Sequence, residues 1–153
     1  MARALTAVGA LLAMAVLGLA LAVYLGREEG TIAVDNLLSE DITRAIGTAE
    51  DRGEDVDLGR IAKFDWDEVV LAERDATRGE ISSELGTEWN GDLQFRTGDL
   101  LIFLRDGKLA RFADYRGEGH FEGVDRPFAR FDREEAVFSV RGLVIRPRGS
   151  RRG

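Results

Sequence analysis

The chain has no cysteine, one histidine (His120) and two prolines in 153 residues. The missing thiols exclude disulfides, thiolate metal sites, cysteine nucleophiles and the Cys-acylated leader of a lipoprotein. An exported domain of this composition must stand on its core alone. With a single His, a zinc site would need a shell dominated by carboxylates. The loop around His120 holds no Ser or Thr to form a nucleophile–base pair. No cofactor or metal motif is present: Gly117-x-Gly119-x-x-x-Gly123 lacks the GK[ST] ending of a phosphate loop.

Charge of one sign is also scarce where nucleic acid would need it. From Arg27 to Val140 there are 15 basic and 28 acidic residues, a net −13. Such a body argues against a nucleic-acid-binding surface, which would need an extended basic face. Arg141–Gly153 is the reverse, with five Arg and no acid.

Charge is absent altogether from Ala4 to Leu25, "ALTAVGALLAMAVLGLALAVYL". As a helix these 22 residues span about 33 Å, enough for a hydrocarbon core of roughly 30 Å. Their Leu and Val residues favour insertion by about 3–6 kcal/mol. The expectation is an uncleaved N-terminal anchor, with its N-terminus inside and the rest of the chain outside. Ala20-Leu21-Ala22 keeps a second outcome open, secretion after cleavage near Ala22. Within this segment Gly18, Ala22 and Gly26 form a small-xxx-small series suited to helix pairing.

The expected organisation is a transmembrane anchor or signal segment over 1–25, a linker over 26–33, an α+β extracytoplasmic domain over 34–145 and a basic disordered tail over 146–153. Asp35 is placed to N-cap a helix running to about Asp51, with Leu38, Ile42, Ala45, Ile46 and Ala49 on its inner face. Asp51–Gly59 reads as an acidic loop, and its acids do not match a calcium-binding loop. Phe64–Glu73 reads as a strand. Thr77-Arg78-Gly79-Glu80 is a capping box for a short helix stopped at Gly86, and Asn90-Gly91 marks a turn.

Asp106-Gly107, between the apolar runs "LLIFLR" and "KLARFADY", signals a two-residue hairpin. Pairing Arg105 with Lys108 sets Phe103 opposite Ala110 and Leu101 opposite Phe112. Leu100–Leu104 is apolar on both faces, so this strand is expected at the centre of a sheet, covered on both sides. A Gly- and charge-rich loop follows from Gly117 to Arg126. After it come one helical turn at Asp132–Glu135 and a last strand, Ala136–Ile145, bent at Gly142. The fold class is α+β, with an antiparallel sheet of about four strands and helices mainly on one face.

Only one segment hints at chemistry. In Phe64-Asp65-Trp66-Asp67-Glu68, a strand would put both aromatics on one face and Asp65 and Asp67 on the other, roughly 7 Å apart. Two such carboxylates suit an acid–base pair or half of a cation site. They equally suit the wet side of a strand. Asp65, Asp67 and His120 are the candidate catalytic residues, and no small-molecule substrate is indicated.

The set "FDWDEV", "ELG" before a Trp, "LLIFLRDGKLARFADY" and "EEAVFSV" resembles a family of small exported proteins, lipoproteins or membrane-anchored, mostly of Gram-positive bacteria. The resemblance spans about Phe64 to Val140. It implies an exported location and a shared fold, with no established activity. The chain departs from the family at Val70 and at Asp75-Ala76. The expected function is a non-enzymatic interaction module tethered by residues 4–25 and contacting an envelope protein or polymer through the sheet edge beside "FDWDE" or the Gly-rich loop. The alternative is a hydrolase or metal-dependent enzyme using Asp65 and Asp67. A scaffold subunit whose anchor matters most is a third possibility.

Overall fold

Five consecutive apolar residues, Leu100–Leu104, are buried on both faces of one strand, and the architecture follows from covering both. The computed structural model describes residues 33–93 and 98–149. The expected anchor over 4–25 lies outside them. Among the described residues no helix is long and apolar enough to cross a membrane.

In chain order the elements are α1 (Asn36–Arg52), β1 (Asp55–Asp57), α2 (Leu58–Ile61), β2 (Glu68–Ala72), α3 (Arg78–Leu85), β3 (Leu100–Arg105), β4 (Lys108–Asp114), β5 (His120–Phe121), β6 (Phe128–Asp132), β7 (Val137–Arg141) and β8 (Val144–Pro147). The fold is α+β, but the expected single sheet of about four strands is two four-stranded sheets. One runs β4-β3-β2-β6 and is antiparallel throughout; the other runs β1-β7-β8-β5, in which β5 and β8 are parallel. The helices do not share one face. Leu38, Ile42, Ile46 and Ala49 of α1 join a core with Val69, Leu71, Leu101, Phe103, Phe138, Val140 and Ile145. Ile81 of α3 belongs to a second core, on the other face of the first sheet, with Val70, Ala72, Leu100, Ile102, Leu104, Trp89 and Phe112.

Local signals are obeyed closely. Asp35 caps α1, accepting from Leu38 N–H at 3.0 Å, and Gly53 ends the helix in the left-handed region. Thr77 and Glu80 form the reciprocal capping box of α3. Asp106 and Gly107 have φ of 51° and 71°, the two positive values a type I′ turn needs. The helical turn after β6 is present, with Ala136 N–H bonded to the Asp132 carbonyl at 3.0 Å.

Five departures have physical causes. A bulge at Ala110 shifts the β3–β4 register, so Phe103 faces Arg111 and Ile102 faces Phe112. One extra residue moves every later side chain of β4 to the opposite face. Phe112 therefore enters the α3-side core, edge-on to Trp89 at 4.9 Å. Secondly, Ala136–Ile145 is a hairpin, because Gly142 (φ 54°) and Leu143 (φ 66°) turn the chain back and pair Arg141 with Val144. Thirdly, the acidic loop 51–59 contains β1 and the start of α2, whose Val56 and Leu58 are buried. Fourthly, β8 reaches Pro147, and Arg146 and Arg148 pair with Glu122 and Asp55, so the basic tail expected from 146 begins inside a strand. Lastly, Asn90-Gly91 makes no turn; Gly91 is in an extended bridge against the Trp89 ring.

The Gly-rich loop is shaped by one tyrosine. A β-carbon on Gly117 would lie 2.2 Å from Tyr115 Oη, so glycine there makes room for the phenol. Gly119 N–H donates to that oxygen at 3.1 Å, and burial pushes the phenol's pKa up. Gly117→Ala should cost about 1–3 kcal/mol, the range for overpacking, measured as a drop in the urea midpoint. Leu143 is 40% exposed yet sits at positive φ, where an L-residue with a β-carbon is disfavoured. Leu143→Gly should raise stability by about 0.5–1 kcal/mol in the same assay; no change would mean the turn stores no strain.

Candidate functional site

"FDWDE" is not a strand. Only Glu68 belongs to β2; Phe64–Asp67 is irregular chain leading into it. The burial still alternates as expected: Trp66 is buried and Phe64 half-buried, while Asp65 and Asp67 are exposed. Phe64 and Trp66 both meet Phe103 edge-on, with ring centroids at 5.4 and 5.0 Å. Trp66 Nε1 donates to the Ala62 carbonyl at 3.1 Å, satisfying its only polar atom.

The carboxylates serve different ends. Asp67 Oδ2 accepts from Asp106 N–H at 2.8 Å, tying this segment to the tip of the β3–β4 hairpin. The Asp67 carbonyl accepts from Arg133 N–H at 2.9 Å. Glu68 takes the guanidinium of Arg130, which also bonds Glu84 of α3 at 2.7 Å. Arg133, which the sequence reading did not single out, closes the segment from the other side. Its guanidinium stacks 4.8 Å from the Trp66 ring and donates to the carbonyls of Phe64, Trp66 and Gly59 at 3.2–3.3 Å.

His120 lies elsewhere. It is exposed and shares a 2.9 Å hydrogen bond with Glu122, whose carboxyl is held below the usual Glu range by His120 first and then by Arg146. The small pocket beside it is lined by Glu73, Asp99, Tyr115, Glu118 and Arg126 among others, and by neither Asp65 nor Asp67. Arg126 spans that pocket, 3.2 Å from Asp99 and 3.5 Å from Glu73. The structure thus does not bring the three sequence candidates into one cleft. Among the described residues no group of three or more His, Asp or Glu side chains is placed to hold a metal ion. The acids of 50–57 are dispersed too: Glu50 accepts from Leu143 N–H, Asp55 pairs with Arg148 and Asp57 caps α2.

A groove of about 610 Å³ lies at β6, a strand the sequence reading did not assign. Its apolar lining comes from Val124, Ala129, Phe131, Val137 and Pro147; Arg130 and Arg148 also border it. β6 is the outer strand of its sheet. Arg133 N–H to Asp67 and Glu73 N–H to the Pro127 carbonyl bracket the β2–β6 ladder. Bonded pairs in an antiparallel ladder recur at every second residue. The N–H and C=O groups of Phe128 and Arg130 and the N–H of Asp132 therefore point away from β2. The opposite edge of this sheet is protected, since Asp35 N–H bonds the Phe112 carbonyl and Ser39 Oγ accepts from Asp114 N–H.

Comparison of the chain with protein-family models, with curated proteins and with solved structures finds no match.

If Asp67 acts as the hairpin's acceptor, Asp67→Ala should cost about 1 kcal/mol, whereas Asp65→Ala should stay within about 0.5 kcal/mol. Chemical denaturation of both variants checks this, and equal losses would refute the assignment. Glu80 offers a pH test. Hydrogen bonds from Thr77 hold its folded-state pKa down, so the capping box adds stability above the ordinary Glu range and loses it as pH falls through the lowered value. The protection factor of the Thr77 amide, its exchange rate relative to the unstructured chain at the same pH, should fall over that acid window, and Glu80→Gln should flatten the change.

Proposed function

We propose that this chain is a membrane-tethered, extracytoplasmic interaction module whose folded domain binds an envelope protein without catalysing a reaction. The anchor reading rests on the uncharged 22-residue run at 4–25, and the resemblance over Phe64–Val140 points to the same location. The observation that carries the binding reading is the β6 edge, covered by no described residue, beside a groove with apolar side chains in its wall. An open edge is a ready template for another chain, and an adjacent groove supplies side-chain pockets. The acids of "FDWDE" are better explained as structure: Asp67 holds a turn, Glu68 an arginine, and Asp65 faces water.

The test uses the full chain in its own cells, with a photo-activated cross-linking side chain at Gly149, on the groove's rim, where a β-carbon meets nothing within 4 Å. Discrete protein adducts are expected, at least tenfold weaker when Val124→Arg, at a half-buried position of the lining, narrows the groove. A membrane-impermeant reagent should label the domain on intact cells. Adducts only to glycan or lipid, or full-length protein free in cytosol with residues 4–25 intact, would overturn the proposal.

A further inference from the structure

Apolar side chains and two arginines line the groove, and acids stand where the chain enters and leaves β6. Asp125 enters it from the segment preceding β6, and Glu134 and Glu135 from the turn following it. All three are exposed, and among the described residues none makes an ion pair. The two arginines bordering the groove are engaged already, Arg130 by Glu68 and Glu84 and Arg148 by Asp55. The groove's uncommitted charge is therefore negative and lies at both ends of a five-residue strand, about 17 Å long at 3.4 Å per residue.

Resting on the interaction reading above, we infer that the occupant is an extended polypeptide segment, apolar at its centre and basic at both ends, which joins β6 as an added strand. Three features require this together. The outward N–H and C=O groups of Phe128 and Arg130 need main-chain partners spaced as in a strand. Ala129, Phe131 and Val137 provide an apolar wall for alternate side chains of the incoming strand. Asp125 at one end and Glu134 and Glu135 at the other select Lys or Arg beyond the apolar stretch and repel an acidic segment. A glycan would leave the strand's donors and acceptors without a matching repeat.

The probe is a fluorescent peptide of alternating valine and threonine, about six residues long, with two lysines at each end. It is titrated against the full chain in detergent micelles and followed by anisotropy. Saturable binding is expected, with slowed hydrogen exchange at the Phe128, Arg130 and Asp132 amides. N-methylation of every second residue of the probe, in the phase that faces β6, should weaken binding at least tenfold; methylation in the other phase should not. Asp125→Asn, Glu134→Gln and Glu135→Gln combined should weaken it about tenfold, and a probe with glutamates for lysines should not bind. Equal binding of the two methylated probes, or of the acidic probe, would overturn the inference. So would protection of the β6 amides by self-association of the chain before peptide is added. Absence of probe binding while the Gly149 adducts persist removes this inference alone. Loss of those adducts with strand-type probe binding intact removes the envelope-protein reading instead.

Discussion

A strand with no wet face dictates this molecule. Leu100–Leu104 buries every side chain, so β3 needs a neighbour on each edge and a layer on each face. β2 and β4 supply the edges. On one face α3, Trp89 and Phe112 make a small core. On the other, α1 and the second sheet make a larger one, where Phe103 is the hub for Phe64 and Trp66. Burial of each such side chain is worth about 1.5–3 kcal/mol. With no cysteine in the chain, no disulfide adds to that burial.

Two polar contacts, one buried and one partly buried, hold the layers in register. Asp114, at the end of β4, is almost inaccessible, and an unpaired carboxylate there would be costly. It is met by Ser39 Oγ from α1 at 2.9 Å and by Arg116 at 2.9 Å, whose guanidinium pKa this pairing raises. The second contact is the Arg133 clamp, which joins the turn after β6 to the chain before β2. Between them these contacts fix α1 to one edge strand and the "FDWDE" segment to the base of the other. The first also covers the edge of β4. Nothing equivalent among the described residues covers β6, and that asymmetry makes one edge of the sheet available.

Most short-range signals, in which a residue acts on the chain within about four positions, were legible, Asn90-Gly91 being an exception. Asp35, the Thr77–Glu80 box and Asp106-Gly107 do what their local chemistry requires. The one-residue slip at Ala110 was not legible, because nothing in "KLARF" distinguishes a bulge from regular pairing; packing of Phe112 on Trp89 favours it. The turn at Gly142-Leu143 was hidden for a related reason. Leucine is a poor turn residue, and it tolerates positive φ here while its N–H is held by Glu50, 93 positions earlier. β6 was obscured by "FARFD", whose Phe128 and Phe131 fall out of a two-residue period and face opposite sides of the sheet.

By itself the sequence determined the α+β class, the helix caps, the hairpin tip and the need for β3 to be covered twice, since each follows from nearby residues or from hydrophobicity along one strand. Tertiary structure alone decided that there are two sheets, that Asp67 serves a distant turn, that Arg133 closes over Trp66 and that no described residue covers the β6 edge beside a groove. These depend on which remote segments meet. Such meetings are set by the balance of burial and hydrogen bonding over the whole fold, which no short stretch of sequence contains.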